Sequence, residues 1–182
     1  MEQFFMLQPL IEAVVDNFAD ARARLAALAT EESAILLEAM CTPIYAQPLA
    51  SDGASLLGEP HVVLANDLDW EGHLVEGPWL TEQEGRFYLF YAGNDFSTHD
   101  YGIGVAVSDT LLGPFRKMAQ PLLRSDQDWA GPGHPSVAPG PTGAPQLFYH
   151  AFVPGRAGYN EFRALLTASL RFGPDGVEVE QI

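Results

Sequence analysis

Apolar and polar positions follow two different periods along the chain. Between about residues 7 and 40 the apolar residues recur at three- and four-residue spacing. Leu10, Ile11, Val14, Val15 and Phe18 form one stripe, and Leu25, Leu28, Ile35 and Leu36 extend it. Alanine is dense from 19 to 39 and glycine is absent, as an α-helix prefers. Thr30 is placed to cap a second helix, with Glu31 and Glu32 in its electropositive first turn. Pro43 ends this region. From Ile44 onward the period shortens to two, and Gly and Pro punctuate short runs rich in aromatic and β-branched residues. Strands are expected at 45–49 and 61–64, joined through Asp52-Gly53. Others are expected at 86–92, 103–107, 147–152 and 162–170, with a turn at Gly113-Pro114. The strongest is 86–92, where Phe87, Leu89 and Tyr91 alternate with Tyr88 and Phe90.

Two stretches repeat the same landmarks. Leu89-Phe90-Tyr91, Tyr101, Ala106 with Ser108, and Gly113-Pro114 are followed by Leu147-Phe148-Tyr149, Tyr159, Ala168-Ser169 and Gly173-Pro174, at an offset of about 60 residues. Constant order and offset point to duplicated modules of a few short strands, the form of propeller blades. A β-sandwich with coincident Phe-Tyr strands is the competing reading. The pattern divides the chain into a helical segment, 1–43, and a β-rich domain, 44–182. That domain is long enough for two blades and part of a third, whereas a closed propeller needs about four or more.

Composition narrows the function. The chain has 182 residues, 47% of them hydrophobic, enough for one ordinary domain. Its 24 acidic and 9 basic residues give a net charge of -15. Lys117 is the only lysine. Such a surface repels phosphate backbones and anionic membranes, so neither nucleic acid nor a membrane is an expected partner. A neutral glycan is not repelled. Cys41 is the only cysteine, which rules out an intrachain disulfide. Asp16, Asp20, Arg22 and Arg24 interrupt the early apolar positions, so no signal peptide or membrane span is read there, and a cytoplasmic location is expected.

Two dense motifs are candidates for chemistry. Val75-Glu76-Gly77-Pro78-Trp79 precedes the strongest strand. Its Gly and Pro are expected to shape a loop that holds the Glu76 carboxyl in a fixed place. Trp79 offers an apolar face to the carboxyl or to a sugar. An ordinary exposed glutamate is the alternative. Trp129-Ala130-Gly131-Pro132-Gly133-His134-Pro135-Ser136 sets His134 on a shaped turn, to bind an ion, orient an acid, touch substrate or make a structural hydrogen bond. Asp67, Asp69, Glu71 and Glu76 lack the spacing of a Ca²⁺ loop and read as solvated carboxylates of a turn. His150 faces a channel or packs. Arg163 pairs with a carboxylate there or makes a surface ion pair. Ser136 lacks a nucleophile elbow, and Cys41 ends a helix where the dipole disfavours a thiolate.

Taken together, Trp70-Glu71, Val75-Glu76-Gly77-Pro78, Phe87-Tyr88-Leu89-Phe90-Tyr91, Val105-Ala106-Val107-Ser108, Gly113-Pro114-Phe115, Gly131-Pro132-Gly133-His134-Pro135-Ser136 and Leu147-Phe148-Tyr149-His150-Ala151 resemble glycoside hydrolase family 43, the β-xylosidases, α-L-arabinofuranosidases and arabinanases. The resemblance runs from about Tyr45 to Gly176. It implies a mostly β fold, part of a five-bladed β-propeller of about two to three blades, preceded by the helical segment. It implies inverting hydrolysis of pentose-containing oligo- or polysaccharides, with Glu76 as general acid. Trp79, Trp129, His134 and Arg163 become supports for substrate or an ion. No cofactor is required, although His134 matches a histidine near the channel axis that helps hold a structural calcium through water. The family's water-activating aspartate and a second, acid-tuning aspartate lie on the first two blades, which have no counterpart upstream of Glu76. Three readings follow: a glycosidase in atypical form, a non-catalytic carbohydrate-binding or structural blade set, or half of a split enzyme whose propeller a partner chain or another copy completes. The helical segment is expected to cover blade edges through its Ile11–Phe18 face.

Overall fold

The computed structural model describes residues 17–180. Two helices lead. Helix α1 spans Phe18–Leu28 and stops at Ala29, which adopts a left-handed φ of 50°. Helix α2 spans Glu31–Ala39. Thr30 caps α2 as its sequence suggests: the Ser33 N–H donates to Thr30 Oγ1 at 3.2 Å, and the Thr30 N–H donates back to Ser33 Oγ at 3.1 Å. This capping box satisfies two backbone donors that a helix start leaves free. The C-terminal part of the expected apolar stripe, however, is open. Leu28, Ile35 and Leu36 are exposed, and α1 is fastened mainly through Phe18 and Arg22. Phe18 is buried and meets the His73 ring edge-on at 6.2 Å. Arg22 donates to the Asn66 and Asp67 carbonyls at 3.1 and 3.2 Å. Most of the Ile11–Phe18 face lies outside the described residues.

The remainder is antiparallel sheet. Strands β1 (Ile44–Ala46) and β2 (His61–Leu64) form a two-stranded sheet. A short 3₁₀ turn over Asp69–Glu71 follows. Strands β3 (Val75–Gln83), β4 (Arg86–Gly93), β5 (Gly102–Ser108) and β6 (Arg116–Lys117) form a four-stranded sheet in chain order. Strands β7 (Ala130–Pro139), β8 (Pro145–Phe152), β9 (Arg163–Gly173) and β10 (Gly176–Glu180) form a second. Two consecutive four-stranded meanders are partial propeller blades. The repeated Leu-Phe-Tyr landmarks fall on the second strand of each, β4 and β8.

The period-two alternation of β4 has a physical reading. Tyr88 and Phe90 point to one face, where with Ile103, Val105 and Val107 they pack against Val137, Leu147, Leu170 and Val177 of the second sheet. Leu89 and Tyr91 point to the other face, where they pack with Val75 and Ala106 against Ile44 and Leu64. Both faces of the first sheet are therefore covered, and Phe90 and Tyr91 are completely buried. Each contributes roughly 1.5–3 kcal/mol of apolar burial. Phe162, just before β9, and Leu165 on it are exposed.

A polar staple fixes the entry to β3. Asn66 is buried, accepts the Thr42 N–H at 2.7 Å and donates to the Met40 and Gly72 carbonyls at 3.2 and 3.0 Å. The Val75 N–H donates to Thr42 Oγ1 at 3.0 Å. Nearby, Glu71 is not solvated as its turn context suggests. It is fully buried, receives Lys117 Nζ on both oxygens at 2.7 and 2.8 Å, and accepts the Tyr91 hydroxyl at 2.6 Å. The missing signal was the single lysine, 46 residues further on. Asp67 and Asp69 do remain largely exposed, although Asp67 also meets Lys117 and Asp69 meets Arg22.

Candidate active site

Strands β3 and β7 run beside one another and carry the two motifs. Neither motif is a loop. Glu76 opposes Ala92 and Trp79 opposes Phe90, so the strand gains a residue across Gly77-Pro78. Gly77 adopts φ 58°, a region that costs an L-residue strain, and Pro78 has no N–H to give the ladder. The result is a β-bulge that re-aims the Glu76 side chain. Strand β7 slips twice, on either side of Gly133, and His134 lies within the second slip at φ 48°. A non-glycine residue held there is a strained feature of the kind found at working sites.

The slips bring the motifs into contact. A Cβ at Gly77 would lie 3.2 Å from His134 Nδ1, so the bare backbone of Gly77 is what lets the imidazole lie over it. His134 Nε2 is then 3.7 Å from Glu76 Oε1, within ion-pairing range of a protonated imidazole but too long for a hydrogen bond. The direct hydrogen bond comes from Tyr101, whose hydroxyl donates to Glu76 Oε1 at 2.7 Å. Tyr101 is completely buried just before β5. Burial first, then the hydrogen bond and charge of Glu76, push its phenol well above the usual tyrosine range. The Arg163 charge and the His134 backbone N–H work the other way and are outweighed. The phenol therefore stays protonated and remains a donor. Sequence reasoning used Tyr101 only as a repeat landmark. A further signal was present in Gly133, where a Cβ would overlap the Tyr101 ring.

His150, opposite Gly133 on β8, completes a stack of rings. Its imidazole lies 6.1 Å from the Tyr101 ring and 5.9 Å from the His134 ring, nearly parallel to both. Burial, the Arg163 guanidinium and His134 push it down to about 4, so it is neutral at pH 7. Neither of its ring nitrogens has a hydrogen-bond partner within the described residues. Among the described residues Arg163 makes neither of the expected ion pairs. Its guanidinium lies over the Phe96 and Phe152 rings at 5.3 and 5.0 Å, and cation–π attraction takes the place of a carboxylate. Trp79 is 41% exposed on β3, and Trp129 is half-buried before β7. Among the described residues neither hydrogen-bonds to Glu76.

No group of three or more His, Cys, Asp or Glu side chains converges as a metal set among the described residues. Calcium takes six to eight oxygen ligands. His134 offers nitrogen, and its Nε2 is turned to Glu76. His134 is therefore no direct calcium ligand, and no step below passes through an ion. Among the described residues, no helix is long and apolar enough to cross a membrane.

The chain matches the model of glycosyl hydrolases family 43 over residues 33–177. It is 31% identical over 85 residues to the β-D-galactofuranosidase xynD of Aspergillus niger, covering 44% of this chain and 25% of that protein. A thermostable family-43 glycoside hydrolase superposes with a TM-score of 0.72 at 31% identity, covering 78% of this chain and 48% of that one. An endo-1,4-β-xylanase from Bacteroides thetaiotaomicron gives 0.69 at 26% identity, covering 77% and 50%. The chain thus spans a quarter of that curated relative and about half of each of those solved structures. With four-fifths of its length inside the family match, the chain belongs to glycosyl hydrolases family 43.

Proposed function

We propose that this chain carries the acid side of a glycosidase site acting on pentose-containing oligo- or polysaccharides, with Glu76 as the general acid. The observation that supports this most is the clamp on Glu76: a bulged strand aims the carboxyl, and a buried phenol and an imidazole converge on one of its oxygens. A general acid must be held within hydrogen-bond reach of the leaving oxygen. In the proposed step the Glu76 carboxyl proton passes to the glycosidic oxygen as the C1–O bond breaks. Water adds to C1 from the opposite face and gives its proton to a second carboxylate, so the anomeric centre inverts. That base is an aspartate about 6.5–9.5 Å from Glu76. We assign it to blades beyond the two four-stranded sheets described, brought by a further segment or a partner chain. The half-length coverage of the solved relatives supports this assignment.

The second reading is a blade pair that binds carbohydrate without turning it over, favoured by the same coverage. Aryl β-xyloside, aryl α-arabinofuranoside and, because of the Aspergillus niger relative, aryl β-galactofuranoside distinguish the two. Turnover in the wild type, on substrates with a weakly acidic phenol, that Glu76→Gln abolishes supports the hydrolase. Oligosaccharide binding with no turnover in either protein, once the base-bearing blades are supplied, supports the second reading and contradicts the first.

A further inference from the structure

We propose that Tyr101 is the positioning residue that decides which oxygen of Glu76 delivers the proton: its phenol occupies Oε1, leaving Oε2 to face the glycosidic oxygen. This deepens the acid role proposed for Glu76 and rests on it. The hydroxyl donates to Oε1 at 2.7 Å, and no described residue hydrogen-bonds to Oε2. A carboxyl that can present either oxygen holds its proton in the useful place for only part of the time. One held by a single fixed donor does not.

The structure around Tyr101 is arranged to keep that donor still. The ring is completely buried and stacks on His150 at 6.1 Å. The Gly131-Pro132-Gly133-His134 motif wraps it. A Cβ at Gly133 would overlap the Tyr101 ring, and one at Gly131 would lie 3.6 Å from Tyr101 Cβ and 2.7 Å from the Thr98 carbonyl. The motif's glycines therefore make the space that the phenol fills. Because the phenol is held protonated by burial and by the Glu76 charge, the bond keeps one polarity, with Tyr101 as donor. His150, stacked on the Tyr101 ring, makes no hydrogen bond through either ring nitrogen among the described residues and so does not compete for the carboxylate.

The test has one arm that needs no turnover. A buried hydroxyl donating to a carboxylate gives a slowly exchanging proton resonance downfield of ordinary hydroxyl protons. Two such resonances are expected, from Tyr101 on Glu76 and from Tyr91 on Glu71. Tyr101→Phe removes the first, and Tyr91→Phe removes the second. Glu76→Gln, which makes the acceptor neutral, moves the first upfield and leaves the second in place. The second arm is kinetic. Tyr101→Phe keeps the ring and loses only the hydroxyl, so kcat falls about 10- to 100-fold, the worth of one hydrogen bond to a charged group, while KM stays within about twofold. The proposal is overturned if no resonance responds to both Tyr101→Phe and Glu76→Gln, or if turnover that depends on Glu76 is unchanged in Tyr101→Phe. The responding resonance without turnover in any protein supports Tyr101 as the holder of Glu76 and counts against the glycosidase reading alone.

Discussion

Replacing Lys117 by methionine removes the only cation that faces the buried Glu71 carboxylate among the described residues. In the native protein Lys117 Nζ lies 2.7 and 2.8 Å from the two Glu71 oxygens, and Glu71 has no exposed side-chain surface. The variant leaves that carboxylate with three neutral donors: the Tyr91 hydroxyl at 2.6 Å and the Asp67 and Leu68 N–H groups at 2.8 and 2.9 Å. Breaking a buried pair from one side costs about 3–5 kcal/mol. The remaining donors, and the 11% exposure of the Lys117 side chain, put the value at the low end, about 3 kcal/mol. The additional Lys117–Asp67 contact, with Asp67 75% exposed, adds only about 0.5 kcal/mol. For a domain of this size 1 kcal/mol moves Tm by about 2–4 °C, so Lys117→Met should lower it by about 7–14 °C, read by calorimetry and circular dichroism. Replacing both partners, Glu71→Met with Lys117→Met, removes the stranded charge and should recover part of the loss. A drop below about 2 °C in the single variant, or a double variant less stable than the single, would refute the reasoning.

Two other perturbations act on the site itself. Gly77→Ala forces a side chain into φ 58° and sets its Cβ 3.2 Å from the His134 ring, so it should reduce stability by about 1–3 kcal/mol and weaken any Glu76-dependent turnover; denaturant titration and kinetics of the same preparation check both. His150 gives a pH dependence whose sign is fixed. The unfolded imidazole takes up a proton near the ordinary value of about 6.5, and the folded one only near 4. Between those values the unfolded state binds more protons, so stability falls as pH falls through the window. His150→Phe, which keeps a ring in the stack, should flatten that part of the stability–pH curve; equal slopes in both proteins would remove His150 as the cause.

Fold class was legible because it rests on local pattern. The shift from a three- and four-residue spacing to a period of two near Ile44 marks the change from helix to sheet, and Leu89-Phe90-Tyr91 with Leu147-Phe148-Tyr149 marks equivalent strands of the two sheets. Gly and Pro misled at the motifs. Gly77-Pro78 and Gly131 to Pro135 read as loop punctuation, whereas they are bulges inside β3 and β7. A bulge and a turn demand the same residues, and only the partner strand tells them apart. The helical stripe misled in a different way. Leu28, Ile35 and Leu36 have the spacing of a buried face, but the described contacts of α1 run through Phe18 and Arg22. Spacing reports which residues share a face, not whether another surface meets it.

The long-range polar contacts were not legible at all. Glu71 with Lys117, Tyr101 with Glu76 and Arg163 with Phe96 join residues 25 to 67 positions apart, and no local pattern encodes such pairs. Glu76 itself stood out because a family resemblance named it. Its surroundings explain why the motif has that composition: Gly77 admits His134, and Gly133 admits Tyr101.

The central claim is that Glu76 gives a proton to a leaving oxygen, and the dependence of turnover on the leaving group tests it most directly. Aryl pentosides with a weakly acidic phenol need that proton, whereas those with a strongly acidic nitrophenol leave without it. The account predicts that Glu76→Gln loses hydrolysis of the first kind and retains much of the second, with a steeper dependence of rate on phenol acidity than in the wild type. An equal loss on both kinds of substrate, or no loss on either, would contradict Glu76 as the acid.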